Sequence, residues 1–190
     1  LKEALDTITV EILDAQDRVV NTYTGSQPAY EEDPDLPWWQ RGGSSKPTTA
    51  QGLNAFTWDL RYPGATTFEG MIIWSARPKR GPKAPPGTYK VRMKAGDQLQ
   101  TYPFSIRMDP NLKGVTEADL EEQFELAQKI VQKTSTANEA VIRIREMREH
   151  LVSNRDKIPE PDYEKTIAPF LHRIASVEEE LYQVRNQSNQ

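Results

Sequence analysis

From Leu120 to Leu151, apolar or small residues recur at Leu120, Phe124, Ala127, Val131, Thr134, Ala137, Val141, Ile144, Met147 and Leu151. Steps of three and four mark one face of an α-helix, sustained here over about ten turns at 3.6 residues per turn. Thr116 is placed to cap that helix, with Glu117 in its first turn and Asp119 at the third helical position. Ser153-Asn154, then Pro159 and Pro161, end it. A second stripe follows at Tyr163, Ile167, Phe170, Ile174, Val177, Leu181 and Val184, with Asp162 as a candidate cap. The short connection makes the two helices antiparallel neighbours, so residues near Leu151 are expected to meet Tyr163, and those near Phe124 to meet Val184. Pro169 lies inside the stripe and lacks a backbone donor, which predicts a kink or a late helix start. Thr134, Ser135 and Asn138 make the middle of the first helix the weakest part of the seam.

Upstream of Asp109-Pro110-Asn111 the period is two. Ile8, Val10 and Ile12 alternate with polar residues, Asp14 to Asp17 reads as a turn, and Arg18 to Tyr23 returns as a second strand. Phe56, Trp58, Leu60 and Tyr62 form an apolar row on a third strand, bounded by Gly52 and Asn54 before it and Pro63-Gly64 after it, with Trp58 in the core. Asp59 then points to solvent or to a turn amide. Met71-Ile72-Ile73-Trp74 is a further short apolar run. Tyr89, Val91 and Met93, then Tyr102, Phe104 and Ile106, form another hairpin, in which Pro103 requires an edge or a bulge. No crossover helix intervenes, which favours antiparallel pairing. The fold class expected is α+β: an immunoglobulin-like antiparallel β-sandwich over residues 1–110, then an antiparallel α-helical hairpin over 111–190, with helices near 116–152 and 162–187.

Composition excludes several function classes. With 24 basic and 28 acidic residues the net charge is −4, which is not the basic footprint of a nucleic-acid binder. The chain has no cysteine, hence no disulfide or thiolate metal site, and no apolar run long enough to span a bilayer. Its first residue is Leu1, and it reads as part of something larger. His150 and His172 stand alone on their helices without a second ligand at metal spacing, so neither a metal nor another cofactor is expected. Asp59 and Glu69 lack the spacing of a carboxylate pair, and there is no nucleophile elbow, phosphate loop or zinc-protease motif. No catalysis is expected.

The segment from Thr24 to Gln51 exceeds the usual loop ceiling of about 12–15 residues and is rich in proline, acid and glycine. It contains Trp38 and Trp39. These either fold back over an apolar seam or, with Trp74, offer stacking platforms to a sugar or a protein.

Gly52-Leu53-Asn54-Ala55-Phe56-Thr57-Trp58-Asp59-Leu60-Arg61-Tyr62-Pro63, Ala84-Pro85-Pro86-Gly87-Thr88-Tyr89-Lys90-Val91-Arg92 and Asp109-Pro110, with Gln123 to Ala127 and Glu180 to Gln183, resemble the C-terminal region of bacterial sortilin-like proteins with BNR repeats. The first two stretches also resemble the immunoglobulin-like module of flagellar hook-cap proteins. The sortilin-like resemblance implies an exported protein whose N-terminal part is a β-propeller. Any hydrolase activity would then lie in the propeller, so no catalytic residue is carried onto this chain. The leading expectation is a non-catalytic accessory module whose sandwich docks on the parent chain's propeller and whose helical hairpin is a spacer or a contact for another protein chain. The alternative is a carbohydrate-binding module using Trp38, Trp39 and Trp74; part of a glycoside hydrolase is a more distant one.

Overall fold

The computed structural model describes residues 1–26, 46–71 and 77–182. It is α+β: a four-stranded antiparallel sheet and a two-stranded one, followed by helices. The strands are β1 (Thr7–Leu13), β2 (Val19–Ser26), β3 (Arg61–Pro63), β4 (Arg80–Lys83), β5 (Gly87–Ala95) and β6 (Gln98–Ile106). The larger sheet has the order β2-β1-β5-β6, and β3 pairs with β4. Among the described residues three α-helical segments follow: α1 (Glu117–Ser153), the single turn α2 (Glu160–Asp162) and α3 (Ala168–Leu181). Among the described residues every strand lies before Asp109 and every helix after Thr116.

Packing divides the chain differently. One compact unit comprises Leu1–Pro63 and Pro82–Leu126, the other Gly64–Gly81 and Ala127–Gln190. The excursion after Pro63 thus belongs with the helices, and the first turns of α1 belong with the sheet.

In the first unit the period-two rows do what alternation requires. Ile8, Val10 and Ile12 are buried, as are Val20 and Tyr89. Their neighbours pair across the strands, Glu11 with Arg92 at 2.6 Å in register. The β1–β2 turn is built by Asp14: Oδ1 accepts from the amides of Gln16 and Arg18, both at 2.9 Å, and Oδ2 from Arg18 Nε at 2.7 Å. β2 runs on to Ser26, opposite Thr7, so the long connection starts later than Thr24. The rest of that connection, including Trp38 and Trp39, lies outside the described residues, as do Ile72, Ile73 and Trp74. β6 is an edge strand, which accommodates Pro103.

The row from Phe56 to Tyr62 departs from expectation. Phe56 and Trp58 are half-buried and their neighbours exposed, but only Arg61–Pro63 is a strand. Leu60 has φ +58° and is 41% exposed, so the row breaks there. Two local hydrogen bonds compete with a ladder. Asp59 Oδ1 accepts from the Arg61 amide at 3.2 Å, and Trp58 Nε1 donates to the Arg61 carbonyl at 3.0 Å. The chain curls around the Trp58 ring, which packs on Tyr89 and Phe104 with centroids 5.9 and 6.2 Å away. Trp58 therefore borders the core and is not enclosed by it. Phe124, in the first turns of α1, stacks on Tyr62 at 4.6 Å and is committed to this unit; Val184, its expected counterpart, lies outside the described residues.

The α1 start is a reciprocal capping box. Thr116 Oγ1 accepts from the Asp119 amide at 3.2 Å, and Asp119 Oδ2 accepts from the Thr116 amide at 2.7 Å. The second helical segment starts at Pro159, not Asp162, whose side chain makes no cap and whose backbone is already helical. Pro161 sits in that first turn, where no amide donor is required. Between α2 and α3 lies a π-helical turn, Tyr163–Ile167, closed by the Ala168 amide on the Tyr163 carbonyl. The next residue is Pro169, which cannot bond back four residues, and the widened turn absorbs that missing donor.

Gly64 approaches the backbone of Pro78 and Lys79 so closely that a Cβ would collide with their carbonyl groups. Gly64→Ala is expected to destabilise by about 1–3 kcal/mol, the range of overpacked sites. Trp58→Ala should cost about 3 kcal/mol, the low end for aromatics, because the ring borders the core. Urea unfolding of both variants, with unchanged slope, checks these values.

Candidate interaction surface

The sequence proposed Trp38, Trp39 and Trp74 as a binding platform. All three lie outside the described residues. What the described residues assemble in the second unit is a set of buried polar contacts beside Val141 and Ile144, with further apolar side chains left uncovered.

The polar middle of α1 makes the first of those contacts. Asn138 is buried, and its Nδ2 donates to the Thr66 carbonyl at 2.6 Å. Ser135 Oγ accepts from the Thr66 amide at 3.1 Å and donates to the Val131 carbonyl at 2.8 Å. Thr66 Oγ1 donates to Glu139 at 3.1 Å. The expected weak stretch is thus a receptor for the 64–71 segment, with both backbone groups of Thr66 satisfied.

About two and three turns beyond Asn138, α1 meets α3 through charge. Glu178 is only 4% exposed. Its Oε1 accepts from Arg145 Nε at 2.8 Å, and its Oε2 accepts from Arg148 Nη2. The Arg145 guanidinium also lies over the Phe68 ring, 4.6 Å from the centroid, and over Tyr182 at 5.7 Å. Those two rings meet edge to face at 5.0 Å. Burial pushes the Glu178 carboxyl up, but the hydrogen bonds from Arg145 and Arg148, with their charges, outweigh it. The group is held below the ordinary glutamate value.

The stripe on the second helical segment is rotated from the one the spacing predicts. Its inward residues are Tyr163, Ile167, Leu171, Ile174, Glu178 and Tyr182, whereas Phe170, Val177 and Leu181 are 40%, 48% and 44% exposed. A π-helical turn holds one extra residue, so beyond it the inward positions advance by about one. Leu171 replaces Phe170, Glu178 replaces Val177, and Tyr182 replaces Leu181. The displaced side chains are left outside. Phe170 lines a cavity of about 420 Å³ with Glu146, Met147, His150 and Leu151, and Met147 is itself 42% exposed. His150 therefore borders an apolar hollow. Among the described residues no group of three or more acids or histidines could hold a metal. No helix among them is long and apolar enough to cross a membrane.

No protein-family model matches the chain, and no similar curated protein or solved structure was found.

Sequence reasoning missed the Glu178 cluster because it places charged residues outside a stripe. The available signal was Pro169, whose missing donor implies a local change of helical register.

The sign of the pH effect follows from Glu178. A carboxylate with a depressed folded pKa adds stability that is complete above its unfolded value, ordinarily 4.5, and is lost as pH falls through the folded value. Glu178→Gln should cost about 3 kcal/mol near neutrality, the low end for one partner of a buried pair, since both arginines can rehydrate. The deficit should shrink towards zero as the pH is lowered below that value. Chemical unfolding of both proteins across the acid range measures the difference.

Proposed function

We propose that the chain is a non-catalytic interaction module, with its helices as the contact for another protein. The observation that carries this reading is the row of Phe170, Val177 and Leu181, left 40–48% exposed beside Met147 while an ionic cluster holds the seam. The helices bury Val141 and Ile144 along with the ionic cluster, yet leave this further apolar row outside, and exposed apolar groups in series favour a protein partner. In this reading the strands form an immunoglobulin-like sandwich and the helices an antiparallel hairpin. The pairs Arg145–Glu178 and Arg148–Glu178, with the short turn before Pro159, support the antiparallel arrangement.

The resemblance to sortilin-like proteins makes the β-propeller of a second such protein the first partner to test against the helices, and the outside of the cell the place of work. Titration of the chain with a purified sortilin-like β-propeller, followed by interferometry, is expected to give a micromolar dissociation constant. Val177→Glu should weaken it about tenfold or more without lowering the melting temperature, because the side chain is half exposed. Absence of binding, together with glycan binding that Trp38→Ala or Trp39→Ala abolishes, would replace this reading with the carbohydrate-binding one.

A further inference from the structure

β6 ends its sheet, and among the described residues nothing pairs with its outer edge. Such edges are normally guarded by lysine, proline, bulges or shortness. This strand is nine residues long, carries no charged side chain, and has Pro103 as its one guard. Leu99 is 64% exposed and Tyr102 57%. The charges stand just outside it: Asp97 before the first residue and Arg107 after the last, both exposed. Neither side chain takes part in a hydrogen bond or ion pair among the described residues.

We propose that β6 pairs antiparallel with β6 of a second copy of this chain, about a twofold axis at Tyr102. In that register Tyr102 faces its own counterpart, and Gln98 faces Ile106 of the second copy. Asp97 then faces Arg107 of the second copy, and symmetry repeats the pair. The uncharged interval sets no like charges against each other, which a self-paired charged strand would do. A shift of two residues sets Asp97 opposite Ser105 in one direction and opposite Asp109, a like charge, in the other, and loses both pairs. Parallel pairing would bring Asp97 beside Asp97. The edge thus matches its own copy in backbone, neutrality and terminal charge. Pro103 withholds one donor from each strand, so the ladder is incomplete and the association weak and reversible.

This contact is separate from the helical one proposed above: β6 variants test it, and α3 variants test the other. Sedimentation equilibrium of the 190-residue chain is expected to show a dimer growing over about 1 μM to 1 mM. Asp97→Lys and Arg107→Glu should each weaken it by about tenfold, and the double variant should recover it, since like-charge contacts become opposite ones again. The chain has no cysteine, so Tyr102→Cys introduces a single thiol. It should oxidise to a disulfide dimer, whereas Leu99→Cys, whose counterpart lies beyond the reach of a disulfide, should not. A strictly monomeric chain, a dimer indifferent to both charge reversals, or equal cross-linking at Leu99→Cys would overturn the proposal.

Discussion

Pro169 has no amide hydrogen, and the arrangement of the helical unit follows from that one absence. A regular helix would leave an unpaired carbonyl against the proline ring. The chain instead widens to a π turn over Tyr163–Ile167, and the widened turn advances the inward face of α3. That advance carries Glu178 into the seam in place of Val177. A carboxylate so little exposed needs cations, and α1 supplies Arg145 and Arg148 three residues apart on one face. Arg145 in turn lies under Phe68 and Tyr182. The loop carrying Phe68 is held a few residues earlier by Asn138 and Ser135. Each step answers the electrostatic or hydrogen-bonding demand of the one before it.

The hairpins β1–β2 and β5–β6 and the helix α1 were legible in the sequence because their causes are local and repeated. Alternation at Ile8, Val10 and Ile12 needs only a sheet with one buried face. The capping box at Thr116 needs only the residue three places on. Leu60 was not legible: its left-handed backbone arises because Asp59 and Trp58 bind the groups of Arg61, a competition that apolar spacing does not register. The candidate surface was legible only at Pro169. Spacing placed Tyr163, Ile167 and Ile174 inward, where they are, but put Phe170, Val177 and Leu181 there too, and a single widened turn moves those three from seam to surface.

The polar residues in the middle of α1 show the same limit from the other direction. Spacing treats Ser135 and Asn138 as interruptions of an apolar seam. The Ser135 hydroxyl and the Asn138 side-chain amide nitrogen instead answer the backbone of Thr66, which has no strand partner of its own. Buried polar groups that are fully matched fix one docking position where an apolar contact would allow several. The excursion after Pro63 is thereby joined to the helical unit by recognition of its main chain.

That excursion has a history written into the order of synthesis. Thr66 leaves the ribosome 72 residues before Asn138, its partner. At about 5–20 residues per second, the segment waits for something on the order of 4–15 seconds before the groups that hold it exist. Glu11 waits longer, 81 residues, for Arg92 to complete the centre of the sheet. For that interval the nascent chain carries Ile8, Val10 and Ile12 as an unfinished strand beside a loop with nothing to bind. A holdase acting on this chain would therefore find its clients at these two early stretches, and would lose both to the chain's own later residues.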